Sequence, residues 1–216
     1  MSIDTLLIDT GSSNTWLGAS KAYTKTKTSK DTGHKVVCFP CLRVTSSNLK
    51  RDQSVSYGSG SFSGEEWTDT VDLGSGLVIE NQSIGVASSA TGFSGFDGIL
   101  GVGPVDLTSS TVHNFTGTVP TVTDNLLSQG TISEEVLGIY YVPASESTST
   151  GELTFGGYDS SAITSSMKYV ALTTTSPASL YWGIDQSITY GGSTILSSTA
   201  GIVDTGTTLI LIATSE

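Results

Sequence analysis

The sequence predicts an all-β fold. Three features carry that expectation. Apolar runs are dominated by β-branched residues, 25 glycines together with abundant Ser and Thr punctuate those runs, and helical periodicity is scarce. At 216 residues the chain is long enough for one large or two small domains. No apolar run approaches the length of a bilayer-spanning helix, so a membrane is not an expected partner.

Taken in order, the first strand runs into Asp9-Thr10-Gly11, and Trp16 and Leu17 continue an apolar strand. Residues 54–64 are Gly/Ser-rich between strand-like segments and read as a hairpin with Tyr57 near its tip. Gly58, Gly60 and Gly64 do not form G-x-G-x-x-G and no P-loop Lys follows, which removes a phosphate-binding loop. Further strands are expected at 66–73, 77–79, 82–87 and 96–101, where the apolar run closes on Gly101. Others are expected at 136–141, 153–155, 168–171, 180–184, 188–190 and 201–203. Short helices fit 122–129 and 133–137. The polar, low-complexity run 145–151 is the natural hinge, dividing a unit 1–145 from a unit 146–216.

The formal charge of −11 argues against nucleic acid as a partner and suits a protein that stays folded in acid. Charge is unevenly spread. Residues 21–51 hold eight of the nine Lys and Arg residues, opposed only by Asp31, so this stretch carries +7 and the remainder −18. Within it lie Cys38 and Cys41, as C-F-P-C. No βαβ pattern supports a thioredoxin-type motif, and His34 and His113, the only histidines, offer no metal-ligand spacing. No metal or cofactor is expected. Two sequons, Asn81-Gln82-Ser83 and Asn114-Phe115-Thr116, become N-glycosylation sites if the chain is secreted.

One short phrase occurs twice. Leu7-Ile8-Asp9-Thr10-Gly11-Ser12-Ser13 is matched by Ile202-Val203-Asp204-Thr205-Gly206-Thr207-Thr208. Each copy reads as a buried strand ending in a tight turn that carries a carboxylate. Hydroxyls and backbone N–H groups at the next positions can offset the cost of burying that acid. Two such turns face to face make a carboxylate dyad sharing one proton.

These phrases, with Asn14-Thr15-Trp16, Tyr57-Gly58-Ser59-Gly60, Phe96-Asp97-Gly98-Ile99-Leu100-Gly101 and Phe155-Gly156-Gly157, occur in the order and near the spacing of one family. The chain resembles the pepsin-like aspartic endopeptidases, and their fungal secreted branch in particular. The resemblance implies a bilobed, all-β acid protease fold with one catalytic Asp from each lobe, Asp9 and Asp204. It implies that Ser12 and Thr207 bond the outer carboxylate oxygens, that Thr10 and Thr205 cross-brace the loops, and that Gly11 and Gly206 form the turns. It makes Tyr57 the flap tyrosine, with Trp16 holding its hydroxyl, and gives Gly58 and Ser59 contacts to the peptide. Leu7, Phe96 and Ile99 match apolar specificity-pocket positions, although plain core is an equal reading. The implied partners are peptide or protein substrates and pepstatin-like inhibitors, the implied state is a monomer, and the implied location is secreted or vacuolar.

Three departures accompany the resemblance. The family braces each Asp-Thr-Gly turn with a later apolar-apolar-Gly strand. Ile99-Leu100-Gly101 is expected to serve the first turn, and with no such partner for the second before Glu216 the expectation is a nearly complete N-terminal lobe and a truncated C-terminal lobe. A leader and the strands that precede the first Asp in the family are likewise expected to be missing, and a chain so shortened is expected to be of low stability and open to inactivity. Residues 36–53 look foreign to the chain, as either a retained intron or a surface loop closed by a Cys38–Cys41 disulfide. The alternative function is a non-catalytic pepsin-fold binding or inhibitor protein. A serine hydrolase lacks G-x-S-x-G, and a retroviral-type homodimeric protease contributes one Asp-Thr-Gly per chain rather than two.

Overall fold

A computed structural model describes residues 3–36, 60–143, 145–146 and 150–212, and the backbone of 55–56. Strands make up nearly all of the regular secondary structure: β1 (Leu6–Asp9), β2 (Trp16–Leu17), β3 (Lys30–Val36), β4 (Val55–Ser56), β5 (Ser61–Asp72), β6 (Val78–Thr91) and β7 (Gly98–Gly101). These seven form one sheet in the order β1-β7-β2-β6-β5-β3, with β4 paired to β5. Then follow the helix α1 (Val122–Ser128) and the strands β8 (Leu137–Tyr140), β9 (Glu152–Phe155), β10 (Gly183–Tyr190) and β11 (Ser193–Ile202). β8 pairs antiparallel with β9, and β10 with β11, each as a separate two-stranded sheet.

Alternation on β7 explains how the large sheet is covered. Successive side chains of a strand point to opposite faces, so Ile99 and Leu100 enter different cores. Ile99 joins Trp16, Val36, Phe62 and Phe93. Leu100 joins Ile79, Val102, Val122, Leu126 and Ile132, where α1 packs. The helix is short but well started: the Thr121 hydroxyl accepts from Asp124 N while the Asp124 carboxylate accepts from Thr121 N, a reciprocal cap.

Several expected elements shift. The separate strands at 77–79 and 82–87 are one long strand, β6, with an irregularity opposite Asp69 and Val71 that absorbs Asn81. No helix forms at 133–137; the chain bends there and enters β8, because Glu134, Glu135 and Val136 are exposed and leave no apolar helical face. Residues 168–171 form no strand, with Tyr169 and Val170 largely exposed and unladdered. The segment 180–184 begins as a 3-10 turn (Ala178–Leu180) before β10 starts at Gly183. Val36, the first residue of the segment expected to be foreign, ends β3, is buried, and bridges Val112. Residues 37–54, with Cys38 and Cys41, lie outside the described residues.

Candidate active site

The first Asp-Thr-Gly loop hangs from the parallel pair β1 and β7, with Asp9 opposite Gly101. The chain after β7 then runs along the loop. Val102 N donates to the Asp9 carbonyl (2.9 Å), Gly103 N to the Ser12 carbonyl (2.8 Å), and the Ser13 hydroxyl donates to the Pro104 carbonyl (2.6 Å). This approach needs glycine: a Cβ on Gly101 would lie 2.6 Å from the Asn14 carbonyl oxygen. The second loop follows β11. Val203 N donates to the Trp182 carbonyl (2.9 Å), and the Trp182 indole N–H donates to the Val102 carbonyl (3.0 Å), tying the second loop to the brace of the first.

The two loops interlock through their threonines. The Thr10 hydroxyl donates to the Val203 carbonyl (2.7 Å) and accepts from Thr205 N (2.9 Å). Reciprocally, the Thr205 hydroxyl donates to the Ile8 carbonyl (2.9 Å) and accepts from Thr10 N (3.1 Å). Each hydroxyl therefore uses one donor and one acceptor on the opposite loop, which sets both turns in one orientation.

The same pseudo-symmetry holds the acids. Gly11 N (2.9 Å) and the Ser12 hydroxyl (2.5 Å) donate to the two Asp9 oxygens. Gly206 N (2.8 Å) and the Thr207 hydroxyl (2.6 Å) donate to those of Asp204. The carboxyls sit against the opposite turns: a Cβ on Gly11 would lie 2.5 Å from Asp204 Oδ1, and one on Gly206 would lie 2.7 Å from Asp9 Cγ. Asp9 is buried and Asp204 is partly exposed. Burial pushes the Asp9 carboxyl above the ordinary range; Ser12 and Gly11 oppose this, and the adjacent Asp204 adds to it. The two carboxyls are adjacent, and both oxygens of each accept from the acid's own turn.

The remaining expected site residues are placed as follows. Trp16 is fully buried, stacked on Phe62 (4.1 Å between ring centroids) and edge-on to Phe93 (4.8 Å). Ile99 is buried in the same cluster and Leu7 is half-buried against it. Phe96 stands apart, 37% exposed, with its carbonyl accepting from the Ser20 hydroxyl. Tyr57, Gly58 and Ser59 lie outside the described residues; beside them β4 pairs with β5, Ser56 opposite Ser61. Asn81 and Asn114 are both exposed. Among the described residues, no group of three His, Cys, Asp or Glu side chains is placed to hold a metal.

A fold of this kind with paired Asp-Thr-Gly loops defines an aspartyl protease, and the comparisons agree. The family model for eukaryotic aspartyl protease matches residues 4–216, and the chain belongs to that family. It is similar to polyporopepsin of Irpex lacteus, 62% identical over 211 residues, spanning 96% of this chain and 57% of the relative. Rhizopuspepsin-1 of Rhizopus niveus is 38% identical over 209 residues, spanning 94% and 49%. The crystal structure of aspartic proteinase from Irpex lacteus superposes with a TM-score of 0.86 at 59% identity, covering 98% of this chain and 58% of that one. The chain thus spans about half the length of the relatives it matches.

Sequence reasoning did not find Trp182 as a link between the loops. Its signal is a Trp placed directly before the Gly-Ile that opens a strand leading back toward the second Asp-Thr-Gly, an aromatic donor with one N–H to satisfy.

Proposed function

We propose that this chain carries the catalytic pair of an aspartic endopeptidase that hydrolyses peptide bonds at acidic pH. Asp9 and Asp204 hold a water between them. One carboxylate takes a proton from that water as its oxygen bonds to the scissile carbonyl carbon, and the protonated partner donates to the carbonyl oxygen. The tetrahedral species then collapses with cleavage of the C–N bond, the amine leaving with a proton, and no covalent enzyme adduct forms. Close carboxyls cannot both ionise cheaply, behaviour for which aspartic proteases are the standard example, so the competent singly protonated state belongs to acid.

The single observation that carries this reading is the reciprocal arrangement of the two loops, each acid bonded by its own Gly N–H and hydroxyl and each threonine bonded to the opposite loop. An ordinary strand-to-turn junction needs none of that symmetry. We extend the proposal to a two-lobed arrangement dividing near residues 145–146. It also includes a flap at Tyr57, Gly58 and Ser59 with Trp16 supporting it, and a preference for hydrophobic side chains set by Leu7, Phe96 and Ile99. A monomeric, secreted or vacuolar protein acting on peptide substrates and blocked by pepstatin-like inhibitors completes it.

The test is the initial rate of cleavage of an unfolded protein substrate across the acid range, with and without pepstatin. Activity confined to acid and abolished by pepstatin supports the proposal. Cleavage that ignores pepstatin and is stopped by a serine-directed fluorophosphonate would overturn it.

A further inference from the structure

The two sequons sit in very different local structures, and that difference decides which of them an oligosaccharide transferase can use. Transfer requires the asparagine amide and the hydroxyl two residues on to be presented together to the enzyme, on a segment it can grip.

Asn114 lies in the loop that follows Val112. That valine is pinned to β3 by its bridge to Val36, and His113 N donates to the Lys35 carbonyl (2.8 Å). Beyond this anchor the chain turns: Asn114 has φ 56°, a left-handed conformation that asparagine tolerates, and Phe115 N donates to the Val112 carbonyl (3.3 Å). Residues 113–118 are all exposed, so the Asn114 amide and the Thr116 hydroxyl both face solvent on a segment fixed at its base.

Asn81 is also exposed, at φ 51° in the irregular part of β6, with Oδ1 accepting from Lys30 Nζ (3.3 Å). The rest of its sequon is built into the fold. Gln82 is 2% exposed; its amide nitrogen donates to the Ser83 carbonyl (3.0 Å) and its oxygen accepts from the Asn125 side chain (2.9 Å). The Ser83 hydroxyl donates to the buried Glu66 carboxyl across the β5–β6 ladder. Presenting Asn81 with its hydroxyl therefore requires β5 and β6 to separate.

We infer that Asn114 is an N-glycosylation site that stays open in the folded chain, whereas folding of β5 onto β6 closes the sequon at Asn81. The ligand is an oligosaccharide delivered from a lipid diphosphate donor. The Asn114 Nδ2 bonds to C1 of the first sugar as the C1–O bond to phosphate breaks, the lipid diphosphate leaves with the electron pair, and the amide gives up one proton. The occurrence of this reaction in the organism rests on the proposed secretory location, but the difference between the sites belongs to the chain itself.

The experiment therefore uses the purified, unglycosylated chain as acceptor for a purified oligosaccharyltransferase and its lipid-linked donor at neutral pH. Site occupancy is read by mass spectrometry before and after peptide-N-glycosidase treatment, for the native chain and for chain unfolded in urea and diluted immediately before assay. The native chain is expected to be modified at Asn114 at least roughly tenfold more than at Asn81, and the unfolded chain at both sites within about threefold, since access at Asn81 is gated by opening of the hairpin. Thr116→Ala abolishes the native signal. Equal occupancy of the two sites in the native chain, or failure of Asn114 to be modified in either state, would overturn the inference. Neither result bears on the dyad, and loss of protease activity would not alter the occupancy.

Discussion

Glu66 should make this protein progressively less stable as pH rises toward neutrality. Its side chain is 5% exposed on β5, between His34 on β3 and Gly85 on β6, and its carboxyl accepts from the Ser83 hydroxyl. Burial pushes it up from the ordinary glutamate value of 4.5 to about 7, and the Ser83 hydroxyl only partly opposes that. An acid whose pKa is raised by folding holds a proton in the native chain that the unfolded chain has released. Its stabilising effect is therefore complete below about pH 4.5 and is lost as pH climbs to about 7. That interval corresponds to about 3 kcal/mol, a large share of the stability of any single domain. Glu66→Gln keeps an oxygen for Ser83 and removes the titration. Urea midpoints followed by tryptophan fluorescence should fall with pH across this window in the wild type, and the unfolding free energy they give should fall about 3 kcal/mol less in Glu66→Gln. Parallel pH dependence in the two proteins would refute the reasoning.

Thr10→Ala removes the hydroxyl bonded to the Val203 carbonyl and to Thr205 N, at about 1 kcal/mol for each hydrogen bond lost. It should lower the urea midpoint accordingly, while Thr10→Ser restores it. Gly206→Ala forces a methyl within 2.7 Å of Asp9 Cγ and should cut kcat on the order of a hundredfold with KM little changed, measured by steady-state hydrolysis. Asp69 is buried and accepts from the hydroxyls of Thr28 (2.5 Å), Tyr23 (2.6 Å), Thr26 (2.7 Å) and Ser29 (2.8 Å). Burial pushes its carboxyl up, but these donors outweigh it and hold it below the ordinary value of 3.8. Asp69→Asn should therefore destabilise the protein above about pH 4, with the difference shrinking as pH falls further, in melts run across that range.

Much of the site is legible in the sequence because its chemistry demands particular residues at fixed offsets. An Asp that must accept from a backbone N–H two residues on and a hydroxyl three residues on writes Asp-Thr-Gly-Ser or Asp-Thr-Gly-Thr, and the doubling reveals the pair. The close approach at Gly101 is legible for the same reason. Other features are hidden. β3 carries exposed Lys30 and Lys35 within the basic run and shifts register between Asp31 and His34, so it shows no simple alternation. β11 is polar and mostly exposed, and only the Gly191-Gly192 turn, with φ of 57° and 80°, signals the hairpin that places Tyr190 opposite Ser193. Glu66 and Asp69 read as solvated acids beside Glu65. Their burial comes from long-range pairing with β6 and from the hydroxyls of residues 23–29, and neither source is a local pattern.

The most direct test of the paired-carboxyl account compares the wild type, Asp9→Asn, Asp204→Asn and the double variant in hydrolysis of one peptide substrate at acidic pH. If the two carboxyls act as one unit, each single substitution removes nearly as much activity as the double. Substantial activity in either single variant, or losses that multiply independently in the double, would contradict it.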